Sequence, residues 1–131
     1  MLNRRSFFAA AAATTAAVTL TGATAAVAGG VKGHFEGRSN HVTSGAVKIV
    51  EEGGRYIVEL GDDFSLDGGP DPRVALGKDG KYDPDTKLGA LLSLTGKQRY
   101  AVPATWDISK HNEVYIWCEV AGVPLGVAKI K

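Results

Sequence analysis

One cysteine, Cys118, stands in the 131 residues. Without a second cysteine it forms no internal disulfide. There is also no Cys-x-x-Cys pair for dithiol exchange and no Cys-x-x-Cys-His for covalent haem attachment. A lone thiol can act as a nucleophilic or redox group, ligate a prosthetic group, or pack as a small hydrophobe. In Val114-Tyr115-Ile116-Trp117-Cys118-Glu119-Val120, period two groups Val114, Ile116, Cys118 and Val120 on one face. Tyr115, Trp117 and Glu119 take the other. The apolar company of Cys118 keeps the packing reading open beside the reactive one.

An active thiol needs a neighbouring cation or metal, because the thiolate does the chemistry. The histidines are His34, His41 and His111, the last seven residues before Cys118. Imidazole can ligate haem or a metal. The only methionine is Met1, so a His/Met haem pair is not expected in the exported chain, whereas Cys118 with or without His41 is a candidate ligand set. No spacing matches a zinc arrangement. Asp62, Asp63, Asp67 and Asp71 form one acidic cluster, and Asp79, Asp83 and Asp85 a second. Neither follows the twelve-residue calcium-loop order. Solvated turn carboxylates are the plainer expectation, since Asp favours turns through its own hydrogen bonds. Trp106 and Trp117 can stack on a flat ligand or fill a core. Phosphate loops, dinucleotide fingerprints and Ser-His-Asp orders are absent, and no enzyme class is assigned.

The elements that must position these residues are strands. Tyr56–Leu60 alternates as Val114–Val120 does, and further strand-like runs cover His34–Glu36, Ala46–Glu51, Arg73–Leu76, Leu88–Leu92, Gln98–Val102 and Leu125–Ile130. Gly53-Gly54, Asp67-Gly68-Gly69-Pro70-Asp71, Lys78-Asp79-Gly80 and Thr95-Gly96 punctuate them. Short strands with turn signals at such spacing predict a small antiparallel β-sandwich of about seven or eight strands. No convincing helical period appears after the first residues.

The N-terminus carries a different signal. Arg4 and Arg5 precede Ser6, Phe7 and Phe8, and residues 7 to 28 are uncharged and rich in Ala, Thr and Val. A basic end, an apolar stretch and a small-x-small site mark an export leader, and the paired arginines specify the twin-arginine (Tat) address. Ala26-Val27-Ala28 sets the expected cleavage, with Ala23-Thr24-Ala25 as an earlier option. Domain boundaries are therefore expected at 1–28 for the signal and 29–131 for the exported domain. A retained anchor is the rival, but the Ala/Thr-rich stretch is only weakly hydrophobic, so no stable membrane span is expected after cleavage. The periplasm or the cell exterior follows as the location. With Arg4 and Arg5 the only charged residues before Gly29, the exported portion has a net charge of −1. That balance gives no reason to expect nucleic acid or an anionic membrane as partner.

Several local patterns, taken in order, resemble the electron-transfer DM-thirteen family. They are His41-Val42-Thr43-Ser44-Gly45; Asp67-Gly68-Gly69-Pro70-Asp71 following Phe64; Leu88-Gly89 with Gly96-Lys97-Gln98-Arg99-Tyr100 and Pro103; and Val114-Tyr115-Ile116-Trp117-Cys118. They span about residues 33 to 131. The resemblance implies an extracytoplasmic β domain for electron transfer or redox modification, with a redox partner protein. It also implies that Cys118 is a free redox thiol or a ligand to a prosthetic group such as haem or a metal. His41 is a cofactor-binding candidate beside it, and Asp67 and Asp71 lie in the family's loop. The alternative is a non-enzymatic binding module for carbohydrate, calcium or protein, in which Cys118→Ser would leave function intact and changes at Asp67 or Asp71 would abolish it.

Overall fold

The computed structural model describes residues 31–131; the expected leader at 1–28 lies outside the described residues. The strands are β1 (Val31–Gly37), β2 (Thr43–Ser44), β3 (Ala46–Glu52), β4 (Arg55–Leu60), β5 (Ser65–Leu66), β6 (Pro72–Lys78), β7 (Lys81–Asp83), β8 (Gly89–Ala90), β9 (Gln98–Ala101), β10 (Glu113–Cys118) and β11 (Val123–Lys129). Two single 3-10 turns, Pro84–Thr86 and Ile108–Lys110, complete the regular structure among the described residues. No helix among them is long and apolar enough to cross a membrane.

The all-β expectation holds, in the form of an antiparallel sheet curled over its own core. Its order is β7-β6-β10-β11-β1-β3-β4-β9, with β8 added on β6 and the pair β2-β5 alongside. One strand joins the two halves. The first part of β1 (Val31–His34) pairs with β3, and the second part (Phe35–Gly37) pairs with β11. Changing partners at Phe35 lets the halves face each other as the layers of a sandwich do. Between them lie Val47 and Ile49 of β3, Val58 and Leu60 of β4, Val74 and Leu76 of β6, and Val114, Ile116 and Cys118 of β10, all buried. The rings of Phe35 and Phe64 meet edge to face, with centroids 5.4 Å apart. These side chains alternate along their strands, so the period seen in the sequence is the period with which residues enter this core.

Several elements differ from the sequence expectation, most clearly the following. The alternation expected through Val120 stops at Cys118. Residues 119–122 form a turn, with Gly122 N–H bonded to Cys118 O, and Val120 is 73% exposed. The run Leu88–Leu92 gives only two strand residues, held on β6 by the bonds of Leu88 N–H and Leu91 N–H to the carbonyls of Val74 and Pro72. Lys81–Asp83 is a strand that the sequence pattern did not announce. It pairs with β6 across Asp79-Gly80, whose φ values of 52° and 87° make a two-residue hairpin turn with both residues left-handed. At β10–β11 the register shifts between Ile116 and Trp117, leaving Leu125 as an extra residue on β11. This bulge coincides with a Leu125 side chain that is almost fully buried.

Candidate functional site

Loop 67–71 brings together the four residues singled out from the sequence. Its first residue, Asp67, holds His41: His41 Nδ1 lies 2.8 Å from Asp67 Oδ1, and Val42 N–H donates to Asp67 Oδ2 at 2.9 Å. The Val42 N–H and then the His41 ring hold the Asp67 carboxyl below its usual range. Its last residue, Asp71, accepts from Arg73 Nε at 2.9 Å and Nη2 at 3.1 Å, and this guanidinium likewise lowers the carboxyl. Asp71 O also accepts from Glu119 N–H. Between them, Gly68 and Gly69 adopt φ of 127° and 144°, a region open essentially to glycine, and Asp71 has φ of 49°.

Cys118 closes the other side. Its Sγ donates to Pro70 O at 3.1 Å and accepts from Ala121 N–H at 3.3 Å. The side chain is 1% exposed and belongs to the main core. A Cβ added at Gly69 would stand 3.4 Å from His41 Cε1 and 3.1 Å from Leu125 Cδ1. Consecutive loop residues thus face the two groups: Gly69 leaves room beside His41 that a side chain would take, and Pro70 O accepts from Cys118. No hydrogen bond joins the two directly among the described residues. The loop is a cover, fastened at Cys118, at His41 and at Arg73.

The other residues raised from the sequence stand apart from this cover. His34 is exposed on β1. His111 Nε2 lies 3.1 Å from Asp83 Oδ2, and this contact, with the Asp85 N–H, lowers the Asp83 carboxyl. Asp63 accepts from Ala46 N–H, and Asp79 from Asn112 Nδ2. The clustered carboxylates thus fasten turns. Trp106 packs against the main core, and Trp117 lies on the opposite sheet face from Cys118. In the Gly-x-Gln-x-Tyr segment, Gln98 Nε2 donates to the carbonyls of Ser93 and Gly96, while Tyr100 Oη accepts from Leu92 N–H. Those two motif residues hold the 92–96 loop.

The described residues do not fit a prosthetic group at Cys118. No group of three or more His, Cys, Asp and Glu side chains is placed to hold a metal ion. The sulfur is enclosed by the core and the cover, and neither Cys118 nor His41 lines the grooves found on β7 and β10–β11 or beside Glu59.

Residues 34–130 match the family described as electron transfer DM13. The chain belongs to that family. No curated protein and no solved structure matches it. Membership supports a role of the redox or electron-transfer type and, with it, a redox partner.

The sequence reasoning passed over Glu113. This carboxylate begins β10, is 2% exposed, and accepts the Gly80 N–H at both oxygens (2.9 and 3.0 Å) and the Tyr115 hydroxyl at 3.1 Å. Burial first, and the Glu113 charge second, push the Tyr115 phenol up to about 12. The available signal was the Glu-x-Tyr-x-Trp alternation on the face away from Cys118.

Proposed function

We propose that the chain is an exported DM13 domain whose redox group is the bare Cys118 thiol, guarded by loop 67–71. The observation that carries this reading is the bond from Sγ to Pro70 O, which makes the thiol the fastening point of a loop that also holds His41. Opening the loop would expose Sγ without dismantling the sheet, since the Gly68-Gly69 segment lies outside the strands. The exposed thiol would then reduce a peroxide, giving a cysteine sulfenic acid and water, and the partner's thiol would condense with it to a mixed disulfide with loss of a second water. Asp67 positions His41 in this arrangement, and Asp71 with Arg73 anchors the far end of the cover. The motifs Arg4-Arg5 and the small-x-small site at Ala28 support export by the Tat route to the periplasm or beyond.

The test uses protein recovered after export from bacterial cells. A mature chain starting at Gly29, a visible spectrum without bands, and a sulfenic acid trapped at Cys118 after peroxide treatment are the expected results. A Soret or charge-transfer band lost in Cys118→Ser would replace the bare thiol with a ligated group. Failure of peroxide to modify folded protein would remove the redox assignment of this residue.

A further inference from the structure

The geometry points to a second site, on the outer face of β6, β7, β10 and β11, that binds a flat anionic ring system of the flavin mononucleotide kind. A groove of about 1120 Å³ lies there, large enough for a small-molecule ligand. Its apolar side is formed by Tyr82, Tyr115, Trp117, Pro124 and Val127. Tyr82 stacks on Trp117 with centroids 3.7 Å apart and planes 7° from parallel, and meets Tyr115 edge to face at 5.9 Å. The rings are thus held by one another before any ligand arrives, which reduces the ordering cost of binding. Gly77 makes the arrangement possible, because a Cβ there would fall 2.4 Å from Tyr115 Cε1.

The charges around this floor select an anion. Arg38, Lys81 and Lys129 are exposed along the groove. Lys81 and Lys129 make no ion pair among the described residues, and Arg38 has only the exposed Glu36 at 3.3 Å. The two acids in the groove are already engaged, Glu113 by Gly80 N–H and Tyr115, Asp79 by Asn112. An aromatic floor with unpaired cations at its rim complements a planar ring carrying phosphate. The sheet separates this groove from Cys118, so the inference does not rest on the thiol reading.

The probe is flavin mononucleotide titrated into the full domain, followed by quenching of flavin fluorescence. Saturable binding is expected, weakened at least tenfold by Trp117→Ala and by the paired exposed changes Lys81→Glu and Lys129→Glu, and unchanged by Cys118→Ala. Riboflavin, which lacks the phosphate, should bind more weakly by a similar factor. The lysine variant keeps the test valid if Trp117→Ala fails to fold. Absence of saturable binding, or binding indifferent to the lysine reversals, overturns the proposal. Equal affinity for riboflavin overturns its anionic part.

Discussion

The two faces of β10 differ in nearly every physical respect, although their residues alternate along six positions. Val114, Ile116 and Cys118 point into an apolar core, and the sole polar atom among them finds one carbonyl and one amide in loop and turn. Glu113, Tyr115 and Trp117 point outward into a groove where a buried carboxylate, a phenol and stacked rings depend on one another. On the inner face burial does the stabilising, and loop 67–71 closes over the sulfur. On the outer face the polar network is itself the structure, and the ligand-sized space is already open. A single strand thus carries a closed site and an open one, with the sheet as insulation.

The comparison breaks most sharply at Glu113. Replacing it with Ala strands the Gly80 N–H and the Tyr115 hydroxyl and should cost about 3 kcal/mol, visible as a lowered urea midpoint. A shift below roughly 1 kcal/mol would mean that water satisfies those groups and that the outer network is not structural. The milder Glu113→Gln should let the Tyr115 phenol, now held near 12, titrate closer to its ordinary value of 10.0, as read by phenolate absorbance. In the parent protein a phenol raised in this way contributes stability that is complete below pH 10 and is lost between about 10 and 12.

On the inner face, Cys118→Ala removes a packed sulfur and both of its hydrogen bonds, for an expected cost of about 1–2 kcal/mol in the same measurement. Tyr82→Phe tests the outer face in the opposite direction. The Tyr82 hydroxyl is buried and makes no hydrogen bond of normal geometry among the described residues, with the Lys87 ammonium nearby, so its deletion should raise stability by up to about 1 kcal/mol; a loss of stability would show that Lys87 donates to it. The smallest effect is the acid response of the cover. Asp67 and Asp71 sit below their ordinary 3.8, so their contribution is present above that value and is lost as pH falls through their folded values. The protection factors of amides in residues 67–71 should fall at acid pH before those of β10, and a simultaneous fall would remove the loop as a separate unit.

Much of this was legible in the sequence, for identifiable reasons. Strands such as Tyr56–Leu60 and Val114–Cys118 announce themselves because burial on one sheet face repeats every two residues. The loop bearing Asp67 and Asp71 was visible through its Gly-Gly-Pro core, and the structure brings His41 and Cys118 to it. The partner switch of β1 at Phe35 left no local mark, since both halves of the strand pair through the same backbone groups. Val120 was misassigned because it continues the apolar alternation past Cys118, while Gly122 turns the chain back. Glu113 escaped notice because an acid at a strand start looks solvated; its burial depends on a hairpin amide more than thirty residues away.

In the proposed function Cys118 becomes reactive through movement of its cover and not through loss of the fold. The direct test is the rate of Cys118 alkylation across a series of low urea concentrations, compared with global unfolding followed by fluorescence. Local opening requires a rate nearly independent of urea in the native range and increased by Asp67→Ala. A rate that rises with the full urea dependence of global unfolding, and is indifferent to Asp67 beyond its effect on stability, would mean that Cys118 is reached only by unfolding and would contradict local opening of the loop.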